Sequence, residues 1–535
     1  MSRVAAATGA SAEDGSEDGY RWRVLGVVMV GTFMSALDSS IVNVSLPNMM
    51  ASFGASVDDI EWVVTGYMLG FSTFMPLTAW LRDRIGYRVL YIASLAVFIG
   101  GSVLCGIAPN LPTLVLARVI QAFGGGAITP TGLAMIAEVF PPKERGRALG
   151  LWGVGVVVGP AFGPTLGGYL TETLGWRSIF NINLPIGVIG LLAATRVLRA
   201  DKPHAQTHRG FDLPGFLLLT TFLVAALLGL SNGNREGWSS SYVITCAILS
   251  SVAFVLFLTV ESVVSERILD LGLFRKSQFT VAMVVTAARS VALYGGIFLL
   301  PLFLQDLMGR TEIDTGLLLL PGALVMGGVM LVSGRIADRF GTRASTIVGL
   351  ALIAWFMWTY RRLDTTTSTW AVLYPTLIRG VGLGLLVTPV MTAAINAVPT
   401  AKAGMASSML SLTQQISGSL GIAVLACVLG RRATFHLAVV GQGLAGTRPA
   451  LLDATRALVL RAIELGSPPA VARLLAGSLV ARKIAGAASV LAFNDAFLVG
   501  AAIVGAGAIP ALFLSSKAKV RARAVPAPAP AELLE

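Results

Sequence analysis

The sequence predicts an all-α protein that crosses a membrane many times. Three observations carry this. Hydrophobic residues make up 55% of the chain and charged residues 13%, roughly half the charge of a soluble domain. Apolar runs near the ~20 residues that a helix needs to cross a bilayer recur along the chain. Two distant segments also repeat each other's loop residues.

Taken in order, residues 1–21 form a polar tail with Glu13, Asp14, Glu17 and Asp18. The first apolar run, 24–46, is longer than the core of a cleavable signal peptide and reads as a span. Further spans fall at 60–81, 89–108, 112–137, 148–170, 179–198, 214–231, 242–264, 279–305, 315–334, 344–361, 371–394, 405–430 and 491–514, separated by breaks rich in Gly, Pro and Arg. That makes fourteen. The long break at 431–490 reads as an external loop, with helical patterning in 450–486.

The loops holding Arg82, Arg84 and Arg88, then Lys143, Arg145 and Arg147, then Arg335, Arg339 and Arg343 fall on one side with the tail at 515–535. The positive-inside bias makes that side cytoplasmic, with both termini. The net charge of +12 is thus spread through loops and is not gathered into a nucleic-acid-binding patch. Cys105, Cys246 and Cys427 sit in apolar runs without metal or redox spacing. All three histidines lie in loops, and neither an HExxH nor a Walker loop occurs, so enzymatic hydrolysis is not expected, nor a metal or other cofactor.

The stretch from Ala79 to Arg88, with Asp83 and Gly86, returns as Gly334 to Arg343, with Asp338 and Gly341. Thr129–Pro130 returns as Thr388–Pro389. Two six-helix halves follow, 22–200 and 279–514, with an extra central helix pair and its linkers in 201–278. Repeated halves around a central cavity are a secondary-transporter architecture.

At these residues the chain resembles the major facilitator superfamily, and within it the fourteen-span drug:proton antiporters of the EmrB/QacA type. Leu37 to Pro47 is similar to that family's helix-1 motif and Arg118-Val-Ile-Gln121 to its helix-4 motif. The run Gly155, Gly159, Pro160, Gly163, Pro164, Gly167, Gly168 resembles the helix-5 antiporter motif, and Trp176 to Gly187 the helix-6 signature. Ala79 and Ala122 stand where the motifs usually have glycine. The resemblance implies proton-driven export of amphipathic drugs across an inner membrane. The 431–490 loop resembles the EmrB branch, which works with a periplasmic membrane-fusion adaptor and an outer-membrane channel. A sensor, a symporter of the same fold and an exporter of fatty acids or other weak acids are the competing readings.

Asp38 stands out from the residues alone, because a carboxylate inside an apolar span is expensive and by default marks an ion or proton site. It lies ~13 Å below the end of its span and Arg118 ~10 Å below the same side, so the two can couple. A static pair that fixes helix packing is the plain alternative. Gln121, Asn43 and Asn183 either line a cavity or bond between helices. In the second half Arg289, Tyr294, Gln305, Arg379 and Gln415 are cavity candidates, and the two buried arginines bind anionic groups or pair with carbonyls. Asp83, Arg88, Glu138, Asp338 and Arg343 form a conformational latch by resemblance. The helix-5 glycines and prolines predict a tight, kinked seam between the halves.

Overall fold

The computed structural model describes residues 2–142, 144–200, 210–264, 267–399, 402–446, 448–466 and 468–515, without the side chains of 2–18, 57, 58, 161, 234, 312, 338 and 441–454. Among the described residues there is no strand. The long helices are α1 (Ser2–Phe53), α2 (Trp62–Phe74), α3 (Leu77–Gly106), α4 (Leu111–Val139), α5 (Arg145–Leu174), α6 (Asn183–Val197), α7 (Leu213–Glu236) and α8 (Ser241–Val263). Then follow α9 (Ser277–Leu302), α10 (Glu312–Phe340), α11 (Thr342–Thr359), α12 (Thr369–Asn396), α13 (Ala403–Gly446), α14 (Arg448–Glu464) and α15 (Pro469–Ala506). Among the described residues twelve helices are long and apolar enough to cross a membrane.

The helix ends follow local chemistry. Asn110 caps α4 through Thr113, Asp212 caps α7 through Gly215, and Ser240 caps α8 through Val243, each accepting from a backbone N–H that has no helical partner. α3 bends sharply at Gly86 (φ 78°, ψ 167°). Its repeat equivalent Gly341 turns the chain between α10 and α11 with φ 91°. Both positions need a backbone conformation that only glycine adopts cheaply, which is why the repeated segment keeps that residue.

α1 to α6 pack as one bundle, and α9 to α13 with α15 as a second. α7 and α8 pair with each other, and α7 bridges α2 and α13. The bundles meet chiefly along α5 and α10, with α13 lying against α4. They close at the arginine-rich end, where Thr78 and Ser408 hydroxyls lie 2.8 Å apart and Arg145 Nη1 donates to Asn396 Oδ1 at 2.7 Å. There α4 is buried on every side from Pro130 to Ala137.

Two expectations need correction. The helix-5 glycine stripe does not form the seam between halves: a methyl on Gly159 would lie 2.8 Å from Leu37 N, and on Gly167 2.8 Å from Ile41 Cγ1, both on α1 of the same half. Residues spaced by four share one helix face, and that face is spent on α1. The seam to α10 is built one turn earlier, where Gly150 and Gly153 take Met330 and Gly146 faces Gly334. The helical patterning expected at 450–486 is present, but the 431–490 segment is helical over more of its length than a loop with one patterned stretch. α13 runs unbroken to Gly446, α14 follows, and α15 begins at Pro469 after a turn at Gly466 (φ 89°). The Ala-, Leu- and Arg-rich composition between Gly446 and Gly466 favours helix.

Candidate functional site

α1 carries Asp38 into the first bundle and α4 brings Arg118 and Gln121, three residues apart on one face. Asn183 opens α6 directly after the short helical turn Ser178–Asn181, so its side chain enters the bundle where the chain changes direction. Arg118 Nη1 donates to Asp38 Oδ2 at 2.6 Å and to Gln121 Oε1 at 2.7 Å. Gln121 Nε2 and Asn183 Nδ2 donate to Asp38 Oδ1 at 2.9 and 2.8 Å. The carboxylate therefore accepts from three side chains on two other helices.

Ser102 of α3 closes the network. Its hydroxyl accepts from Asn183 at 3.0 Å and Gln121 at 3.3 Å, and donates to the Phe180 carbonyl at 2.9 Å. Arg118 Nε reaches the Val63 carbonyl at 3.3 Å, and the guanidinium stacks on Tyr67, 4.1 Å from the ring centroid. Asp38, Gln121, Asn183 and Ser102 are all 0% exposed and Arg118 1%. The charges cancel, and removing either partner of so deep a pair costs about 3–5 kcal/mol because it strands the other. Two buried atoms, Asn183 Oδ1 and Tyr67 Oη, are left without a hydrogen-bond partner.

Sequence reasoning missed Ser102, Tyr67 and the Val63 carbonyl. The run Gly100-Gly101-Ser102 carried a signal, since small residues mark close helix packing. A methyl on Gly101 would lie 2.5 Å from Gln121 Cα, so α3 sits hard against α4 and delivers Ser102 to the amides.

The other candidates do not join this network. Asn43 is exposed; Tyr294, Gln305 and Gln415 are half-buried. Gln305 sits in a π-helical turn, Phe303–Leu307, and the Tyr294 ring covers Gly418. Arg289 is buried and donates to Gln414 Oε1 at 2.9 Å, and Arg379 is buried beside Phe356, 5.3 Å from its ring centroid.

At the arginine-rich end the latch candidates make the following contacts among the described residues. Arg88 donates to the Thr195 carbonyl at 3.1 Å and Arg343 to the Leu514 carbonyl at 2.9 Å, so each ties its helix to the last helix of its own half. Asp83 pairs with Arg82 at 3.0 Å. Glu138 lines a cavity of about 440 Å³ with Tyr20, Arg21, Arg145 and Arg199, and the Asp338 side chain lies outside the described residues. Contacts between the halves are also made by Thr78, Arg145 and Arg82, whose guanidinium covers Gly404. Among the described residues no cluster of three or more His, Cys, Asp or Glu side chains could hold a metal ion.

Comparison with known proteins gives a consistent picture. The chain is 33% identical over 491 residues to an uncharacterised MFS-type transporter, YhcA, of Bacillus subtilis, covering 91% of this chain and 92% of that one. It is 35% identical over 401 residues to the multidrug resistance protein Stp of Mycobacterium tuberculosis, covering 75% and 74%. It is 30% identical over 417 residues to the riboflavin transporter RibZ of Clostridioides difficile, covering 78% and 90%. Its fold is similar to that of the human organic anion transporter MFSD10, with a TM-score of 0.56, 15% identity and coverage of 90% of this chain and 99% of that one. Residues 28–422 match the family model, and the buried charge network sits inside that stretch. The chain belongs to the Major Facilitator Superfamily, as a membrane transporter with multidrug-resistance homologues.

Proposed function

We propose that the protein is a proton-coupled antiporter that exports amphipathic small molecules across an inner membrane by alternating access, with Asp38 as the proton carrier. The observation that carries this reading is a fully buried carboxylate held by one arginine and two carboxamides. Ionised, it is balanced by Arg118; when α1 and α4 shift apart, the carboxylate loses its counter-ion and takes up a proton in its place. The two carboxamides then have a second use. An amide rotated by half a turn presents its oxygen, so Gln121 or Asn183 can accept from the new carboxylic acid as readily as it donated to the carboxylate.

Fourteen crossings are the count we favour. The bend at Gly86 divides α3 into two rods, the first of which continues α2, and the 18-residue α11 completes the set. With the arginine-rich end cytoplasmic, the closed contacts at Thr78–Ser408 and Arg145–Asn396 make this an outward-facing arrangement. The helical arm of α13, α14 and α15 supports docking of a periplasmic adaptor leading to an outer-membrane channel. Leu460, Leu465 and Leu474 are exposed on it, and paired apolar helices are a common docking surface.

The test is uptake into inverted vesicles. A pH gradient without ATP should drive accumulation of a lipophilic cation, a protonophore should collapse it, and Asp38→Asn should abolish it. Uptake by the variant at the normal rate would rule out Asp38 as the carrier, leaving Glu61 and Asp306 to test. Trimming residues 441–486 should spare vesicle transport while removing resistance in cells that have an outer membrane; equal loss in both would assign the arm to folding.

A further inference from the structure

Among the described residues of the second half, two buried cations have no carboxylate within hydrogen-bonding distance, and Asp306, in the turn that follows α9, is exposed. α9, α11, α12 and α13 contain no Asp or Glu at all. In α10 the acids sit only in the first and last turns, and Asp495 of α15 is already held by Arg432 and His436. Yet Arg379 is 9% exposed and Arg289 2%. Guanidinium does not give up its proton in proteins, and an unbalanced buried charge is among the costliest features a fold can carry.

Their hydrogen bonding shows the same deficit. Among the described residues Arg379 makes no hydrogen bond, and its Nη1 is buried without an acceptor. Arg289 has one neutral acceptor, Gln414 Oε1, and its Nε is unpartnered. Arg379 lies against α9 at Gly296, where a methyl would stand 2.7 Å from Nη1. Gly296 is two turns beyond Arg289 on the same face, ~10 Å along the axis. Both cations therefore address one strip of α9, near mid-span, flanked by the aromatic rings of Phe356 and Tyr294.

We propose that this strip is an oxyanion-binding site and that the exported substrates include amphipathic organic anions, whose carboxylate or sulfonate is held by Arg379 while the apolar body lies along α9 toward Arg289. The proposal rests on the exporter reading for its physiological meaning, but the site stands on the two arginines alone. A planar fork that matches a carboxylate in two parallel hydrogen bonds is kept in apolar surroundings, where such bonds are strongest. Occupation by ligand supplies the missing charge, so an empty site carries a penalty that binding removes.

The test uses the purified full-length protein in phosphatidylcholine nanodiscs with two probes that share one naphthalene ring, 1-naphthoate and 1-naphthalenemethanol. Naphthoate should bind at least ~10-fold more tightly than the alcohol, the scale set by charge-assisted hydrogen bonds. Arg379→Gln should bring naphthoate down to the level of the alcohol, while an unchanged elution volume and unfolding midpoint show that the variant is folded. Arg379→Lys should fall between, since it keeps the charge and loses the fork. Equal affinity for acid and alcohol in the wild type, or full naphthoate affinity in Arg379→Gln, overturns the site. A lipid phosphate is the rival source of the oxyanion. If phosphatidylglycerol discs abolish naphthoate binding and Arg379→Gln removes that effect, the arginine serves lipid and the substrate proposal falls. Gradient-driven uptake of naphthoate and of a lipophilic cation tests the exporter reading separately: if the cation is taken up while naphthoate fails to bind, only the anion site is lost, and if neither is taken up while naphthoate binds, only the exporter reading is lost.

Discussion

The two halves of this transporter bury arginine in opposite ways. In the first, Arg118 meets Asp38 within hydrogen-bonding distance, and Gln121, Asn183 and Ser102 satisfy what remains of the pair. In the second, Arg379 and Arg289 are buried without a hydrogen-bonded carboxylate among the described residues. The first half is complete as a charge pair, and removing either member strands the other. The second leaves two guanidinium groups open to a counter-charge from outside the bundle. The loop repeat shows that the halves share an architecture, so the difference lies in a few side chains on equivalent scaffolds.

The sharpest way to break this comparison is Asp38→Asn. It should stop gradient-driven transport altogether while leaving a neutral probe bound, because the amide cannot titrate; transport rates in vesicles read it directly. The next effect is on stability. Arg118→Ala strands a buried carboxylate and should cost about 3–5 kcal/mol, whereas Arg379→Met removes an unbalanced charge and should be neutral or stabilising in the absence of ligand. Unfolding midpoints of the two detergent-solubilised variants compare these, and equal losses would mean that Arg379 has a structural counter-charge. Smaller again is Gly159→Ala, which pushes α5 from Leu37 on α1 and should cost roughly 1–3 kcal/mol by overpacking, without altering the dependence of transport on pH. The smallest concerns the closed end: Ser408→Ala removes one hydroxyl partner of Thr78, a bond worth about 1 kcal/mol. It should raise cysteine labelling of the arginine-rich end only several-fold, and unchanged labelling would show that Thr78–Ser408 does not hold that end shut.

Much of this was legible in the sequence for identifiable reasons. Asp38 announced itself because a carboxylate in an apolar run has few structural excuses, and helical rise alone put Arg118 at its depth. Gly86 and Gly341 were visible as repeats, and their positive φ angles explain the repetition. What stayed hidden depends on which face of a helix meets which neighbour. Spacing showed that Gly155, Gly159, Gly163 and Gly167 share a face, but not that α1 takes it while Gly146 and Gly150 meet α10. Ser102 looked like one small residue among several until α3 was seen against α4. Arg88 and Arg343 were read as a latch, yet each donates to a carbonyl at the end of its own half, a contact that no side-chain pattern records. The 431–490 segment read as a loop with helical patterning only at 450–486, because its spacing interrupts the spans; that α13 runs on to Gly446 was not visible in the pattern.

That segment has a mechanical consequence. α15 is a single helix from Pro469 to Ala506, and Pro469 lies 26 residues before Asp495, which is bound to Arg432 and His436 of α13. The arm therefore extends ~39 Å beyond that clasp without a joint in α15. A rigid rod rooted in a tilting body is a pointer: each tenth of a radian by which the second half rocks sweeps the far end by ~4 Å. The position of the far tip thus follows any rocking of the second half, and a probe placed at Val471 or Leu474 would read that motion far from the core.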